Sequence, residues 1–192
     1  MPAAVRDLFE DYVKKRFNLE DCIAVNNGTS ALIAPLWSME LKEGDEVITT
    51  PFTFIATSNA ILISGSKPVF VDIDPETLLI DPKKIEKAIT NKTRAIIPVH
   101  LYGRICEMDK INEIAKKHNL VVIGKYNHEY VGFNFRLAEP LCLMALEQMK
   151  IHMTGIKAEL GIRGTEQSHY PKVVYNQPAY KKLGISGNCP VA

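Results

Sequence analysis

The run Ile23-Ala24-Val25-Asn26-Asn27-Gly28-Thr29-Ser30-Ala31-Leu32 passes from apolar residues into Asn-Asn-Gly-Thr-Ser and back into helix formers. That order predicts a strand, a tight turn and the start of a helix. The first N–H groups of a helix have no partner inside it, and the positive end of the helix dipole lies behind them. The reading therefore aims the N–H groups of Thr29, Ser30 and Ala31 at one spot, a place suited to a phosphate. Two plainer readings compete, because Asn-Gly also makes hairpin turns and Ser or Thr at a helix start is commonly an ordinary cap.

Outward from this run, helical and strand patterns alternate. Val5, Leu8, Phe9, Tyr12 and Val13 fall at i, i+3, i+4, i+7 and i+8 and predict an amphipathic helix. Residues 31–39 read as a second helix, in which Pro35 is tolerable only near a first turn or at a kink. Gly44-Asp45 is a turn before the strand Glu46-Val47-Ile48-Thr49. The stretch from Phe54 to Ile63 is apolar nearly all round and ends in Ser64-Gly65-Ser66, which predicts a buried helix. Strands are expected at 68–73, 95–99 and 120–123. Helices are expected between them, one with Asp81 as its cap and Pro82 in its first turn, the next carrying Met108, Ile111, Ile114 and Ala115 on one face.

Crossovers of this length permit parallel pairing, so the expected class is α/β, a mostly parallel sheet with helices on both faces. Ligands in such sheets sit at the carboxyl ends of the strands. After Ile123 the rhythm stops at Gly124-Lys125-Tyr126-Asn127-His128, and one further helix is expected over 141–149. The division that follows is a large α/β domain over 1–123 and a separate remainder over 124–192.

Composition excludes several classes. Lysines and arginines number 23 against 22 acidic residues and lie in short groups such as Lys14-Lys15-Arg16, so no basic stripe is available to nucleic acid. Cys22, Cys106, Cys142 and Cys189 are far apart and form no C-x-x-C pair, which predicts free thiols in a reducing compartment and no metal centre. There is no basic-then-apolar leader and no apolar run of membrane length, so a soluble, cytoplasmic protein without a membrane partner is expected.

Four motifs together carry a resemblance: Asn27-Gly28-Thr29-Ser30-Ala31-Leu32, the run Gly44-Asp45-Glu46-Val47-Ile48-Thr49-Thr50-Pro51-Phe52-Thr53-Phe54-Ile55-Ala56-Thr57, then Lys67-Pro68-Val69-Phe70-Val71-Asp72-Ile73-Asp74 and Pro98-Val99-His100-Leu101-Tyr102-Gly103. The chain from Phe9 to Ile123 resembles the DegT/DnrJ/EryC1/StrS family, fold type I aminotransferases that use pyridoxal 5'-phosphate and act mostly on nucleotide-linked keto sugars. Gly132-Phe133-Asn134-Phe135-Arg136 and His169-Tyr170-Pro171 echo motifs from farther along the family. The resemblance implies that Gly28, Thr29 and Ser30 form the phosphate cup and that Phe54 stacks on the pyridine ring. It also implies that Asn134 reaches the phosphate of a neighbouring subunit, while Arg136, His169 and Tyr170 face the partner's substrate pocket. A homodimer with shared sites, a sugar nucleotide and an amino-acid donor such as glutamate follow from the same resemblance. The plain alternatives are a core aromatic for Phe54, a turn Asn, a surface Arg and loop residues for the others.

The chain departs from the family at two chemical requirements. Where the family continues its strand into Glu-Asp-Ala-x-Gln, whose Asp holds the pyridine nitrogen, Gly124-Lys125 stands here. The Ser-Phe-x-x-x-Lys segment with the Schiff-base lysine has no counterpart, and Lys125 aligns better with the lysine of a later Lys-Tyr-x-His. A second jump falls near Met153-Thr154, so that against the family the chain reads as trimmed at both ends and cut twice inside. Asp72 and Asp74 read as turn and capping residues. No catalytic residue is assigned. The two readings are an aminotransferase moving an amino group from a glutamate-like donor to a keto sugar, and a non-catalytic or degenerate remnant that keeps the cup and dimer surface. A generic nucleotide-binding domain ranks last, because Gly-x-Gly-x-x-Gly is absent.

Overall fold

The computed structural model describes residues 5–101, 104–124, 142–147 and 181–182. The chain divides into two compact units, residues 1–31 with 126–168 and residues 32–125 with 169–192. In the first, α1 (Val5–Phe17) has the expected helix, with Asp7 in its first turn and Lys14, Lys15 and Arg16 in its last, as the helix dipole favours. The expected strand at 23–25 does not form. Residues 21–24 are irregular and Val25 is a lone bridge position, because the Ala24 N–H donates to Glu10 Oε1 of α1 (2.8 Å) and not to a ladder.

Helix α2 (Gly28–Ser38) runs through Pro35. Proline has no N–H to give to the carbonyl of Ala31 one turn earlier; at the end of the helix the Ser38 hydroxyl donates to Pro35 O at 2.7 Å.

In the second unit, β1 (Glu46–Thr49), β2 (Lys67–Phe70), β3 (Thr93–Ile96) and β4 (Val121–Val122) form one sheet in the order β2-β1-β3-β4, every pair parallel. The connecting helices are α3 (Ala56–Ile63), α4 (Pro82–Ala88) and α5 (Met108–Lys117). From β1 the chain steps to β2 on one side, then back past β1 to β3 and on to β4. Right-handed crossovers therefore place α3 on one face of the sheet and α4 and α5 on the other.

Alternation along the strands agrees with this, since Ile48 and Ile96 enter one cluster with Ile85 of α4 and with Ile111 and Ala115 of α5. Helix α4, with seven residues, is too short to persist alone. Burying Ile85 completely contributes about 1.5–3 kcal/mol and holds it in place.

Local chemistry sets the ends of these elements. β2 stops at Phe70 because the chain turns: Ile73 pairs antiparallel with Ile80, and Asp74 Oδ1 accepts the Glu76 and Thr77 N–H groups. Those two bonds hold the Asp74 carboxyl below its ordinary value. Asp72 pairs with Lys84 Nζ at 3.4 Å, so both aspartates serve the turn and the strand end, as expected. β3 ends before Pro98, which has no N–H for the ladder.

The strand expected at 120–123 forms over Val121–Val122 at the edge of the described sheet, with Val121 47% exposed. Its apolar run is thus covered on one side only. The short α3 ends where Gly65, at φ +82°, takes the left-handed conformation that a helix stop requires.

On the surface, Glu86 of α4 takes a hydrogen bond from Lys117 Nζ (2.7 Å), and His118 Nε2 lies 2.8 Å from the same oxygen. The contact with His118, then that with Lys117, lowers the Glu86 carboxyl from 4.5 to about 2. A depressed carboxyl contributes stability above its unfolded value and loses it as pH falls through the folded one. Glu86→Gln should therefore lower the melting temperature slightly at pH 7 and leave it unchanged below pH 2, measured by calorimetry across pH; the exposed position keeps the effect small. A second expectation concerns the α4 cap, where Asp81 accepts the Lys83 N–H and Pro82 fills the first helical position. Asp81→Ala should cost about 1 kcal/mol in urea unfolding.

Candidate functional site

The organising turn is a capped helix start. Asn27 Oδ1 accepts the Ser30 N–H at 2.9 Å, and Asn27 O accepts the Ala31 N–H at 3.1 Å. The Ser30 hydroxyl donates to Asn26 Oδ1 at 2.6 Å, and Ser30 is buried. Of the three N–H groups expected to face one spot, those of Ser30 and Ala31 are thus engaged within the turn. The reason is that Asn27, one residue before the helix, is itself a strong N-cap. Sequence reading looked for the cap among Ser and Thr and passed over Asn27, whose three-residue spacing to Ser30 was the available signal.

Among the described residues, nothing accepts the N–H groups of Gly28 and Thr29. A Cβ placed on Gly28 would meet no described atom within 4 Å, and its φ is not positive. Neither backbone conformation nor packing among the described residues therefore calls for glycine there. The missing side chain leaves this backbone open to close approach.

The second candidate region lies in the sheet unit. β1 leaves toward β2 while its neighbour β3 leaves toward β4, so a crevice opens between their carboxyl ends, the switch point at which ligands bind such sheets. The Ile97 N–H donates to Ile48 O (2.8 Å), and the fully buried Thr49 hydroxyl donates to Ile97 O (3.0 Å), clamping the two ends together. Beyond Thr49, buried Thr50 accepts the Phe52 N–H, and the Thr53 and Thr57 hydroxyls bond at 2.9 Å, bracing the loop against α3.

Phe54 stands on this braced loop, before the helix begins, and is 60% exposed. The reading of Phe54 as a core aromatic on a buried helix is thereby overturned. Burial was achieved by Ala56, Ala60 and Ile61, and the helix starts too late to take Phe54 in.

On the other wall, the loop after β3 is pinned by buried Ile97, Pro98, Leu101 and Cys106. Cys106 Sγ donates to Val99 O at 3.2 Å, and burial pushes its thiol up, so it serves packing. Two residues past β4 stands Gly124, whose φ of +147° strains any side chain there, although a Cβ would make only ordinary contact with Pro98. An acidic residue does not fit this backbone at 124. Asn134, Arg136, His169, Tyr170 and Lys125 lie outside the described residues. Among the described residues no group of His, Cys, Asp and Glu could hold a metal, and no helix is long and apolar enough to cross a membrane.

The sequence pattern of the DegT/DnrJ/EryC1/StrS aminotransferase family matches residues 4–124. The chain belongs to this family. A pleiotropic regulatory protein of Geobacillus stearothermophilus is 48% identical over 145 residues, covering 66% of this chain and 38% of the relative. A GDP-perosamine synthase of Caulobacter vibrioides is 47% identical, covering 67% of this chain and 33% of the relative. Among solved structures, ntda from Bacillus subtilis with bound cofactor pmp superposes with a TM-score of 0.61 and 42% identity, over 64% of this chain and 28% of that one.

This member of the family therefore spans about a third of the length of these relatives, and its α/β architecture is that of fold type I aminotransferases. Asn27→Ala should cost this aminotransferase-family chain about 1 kcal/mol in urea unfolding through loss of the cap. Asn27→Asp should restore it.

Proposed function

We propose that this chain supplies the cofactor-cradling part of a pyridoxal 5'-phosphate-dependent aminotransferase that moves an amino group from a glutamate-like donor to a nucleotide-linked keto sugar. The observation that carries the reading is the α2 start. Gly28 and Thr29 offer N–H groups that no described residue accepts, at a glycine with no packing or conformational need, within the stretch matched by the family. These two amides would take the cofactor's phosphate at the positive end of α2, while Ser30, whose buried hydroxyl already donates to Asn26 Oδ1, supports the turn and departs from the expected cup. Phe54, exposed on a rigid loop, would offer its face to the pyridine ring, a contact worth about 0.5–1.5 kcal/mol.

When bound, the cofactor supplies the electron sink for transamination. The chain's own part is to bind and orient it. Gly124 carries no carboxylate, and the sequence has no Ser-Phe-x-x-x-Lys, so no transfer step is derived for these residues. We propose a homodimer in the cytoplasm, with Asn134, Arg136, His169 and Tyr170 serving the partner's site. The relatives bearing the names of sugar aminotransferases favour this over a degenerate remnant.

The test compares pyridoxal 5'-phosphate with pyridoxal by calorimetric titration. The phosphate ester should bind at least about tenfold more tightly, the value of one or two hydrogen bonds to a charged group. Equal affinities, or no binding, would contradict the reading. Gly28→Ala should weaken the phosphate ester while leaving the melting temperature unchanged or higher, since Ala suits a helix better than Gly. Borohydride reduction with intact-mass measurement separates reversible cradling, with the mass unchanged, from attachment at one of the chain's lysines.

A further inference from the structure

The loop after β3 contains a side chain that the phosphate and ring contacts leave without a role. His100 is exposed, although Ile97 and Pro98 before it and Leu101 after it are buried. Its ring is nevertheless held: Nδ1 accepts the Cys106 N–H at 3.2 Å. The loop is fixed further by the Leu101–Arg104 bridge and by Arg104, whose guanidinium donates to Glu76 O and Thr77 O at 3.0 and 3.1 Å. With the Nδ1 lone pair occupied, the neutral ring carries its proton on Nε2. That N–H has no acceptor among the described residues, and His100 follows the carboxyl end of β3 as Phe54 follows that of the adjacent β1, so both loops leave the sheet at its switch point.

We propose that His100 is a ligand-contacting residue at this switch point, its Nε2–H donating a hydrogen bond to an oxygen on the aromatic ligand whose face Phe54 covers. The proposal rests on the cofactor reading above and adds a specific polar contact to it. A held tautomer suits this use, because a donor aimed in advance loses little freedom when it binds. The structural alternative is that His100 only anchors the loop through Nδ1.

The two roles use different ring atoms, so two substitutions separate them. His100→Asn places an acceptor near the Nδ1 position and lacks the distal donor. His100→Gln places an amide N–H near the Nε2 position and lacks the proximal acceptor. Pyridoxal 5'-phosphate is titrated into the full chain and both variants, and melting temperatures are recorded alongside. The expected result is that His100→Asn keeps the wild-type melting temperature and loses about three- to tenfold in affinity, while His100→Gln binds within about threefold of wild type. Affinity retained by His100→Asn would overturn the contact and leave the cofactor reading standing. Failure of the unsubstituted chain to bind would overturn both.

Discussion

The parallel pairing of β1 with β3 is the constraint on which the described sheet unit depends. Their carboxyl ends are held by the Ile97 N–H on Ile48 O and by the Thr49 hydroxyl on Ile97 O. Thr49 is fully buried, and a buried hydroxyl without a partner costs about 1–3 kcal/mol. The register that satisfies it is therefore strongly preferred. Because β1 and β3 are adjacent and their outgoing connections run in opposite directions, the Phe54 loop and the His100 loop both leave the sheet at its switch point. Packing and site geometry are set by one ladder.

The rigidity of these loops comes from small polar residues that hydropathy ignores. Thr50, Thr53 and Thr57 are buried and bonded, and they hold Phe54 outward on a fixed backbone. Cys106 gives its thiol to Val99 and its N–H to His100, so one buried residue anchors both the loop and the imidazole. At the α2 start, Asn27 plays the comparable part by taking the Ser30 N–H. Each case braces the backbone next to an exposed chemical group with local hydrogen bonds, which is how a site is kept ready before a ligand arrives.

Much of this was legible in the sequence, for identifiable reasons. The strand Glu46–Thr49 and the cap Asp81-Pro82 were readable because a Gly44-Asp45 turn before β-branched residues and a capping pair act locally. The parallel sheet followed from the lengths of the crossovers. What failed was decided by partners distant in sequence. Residues 23–25 have strand composition, but Ala24 gives its N–H to Glu10, fourteen residues earlier. Phe54 matches the buried-helix pattern, but the threonine braces start the helix two residues later and leave it exposed. The count of free amides at the phosphate turn was too high because Asn27 competes for Ser30, a local contact that was readable and was missed. His100 could be singled out only with the Cys106 N–H in view.

The central claim is that the N-terminal amides of α2 receive the phosphate of a phosphorylated aromatic cofactor. Amide chemical shifts of the full chain during titration with pyridoxal 5'-phosphate test it most directly. The account predicts the largest changes at the Gly28 and Thr29 amides, with smaller changes at the Ser30 and Ala31 amides already engaged by Asn27. Shifts confined to other parts of the chain, or equal in size along all of residues 28–31, would contradict it.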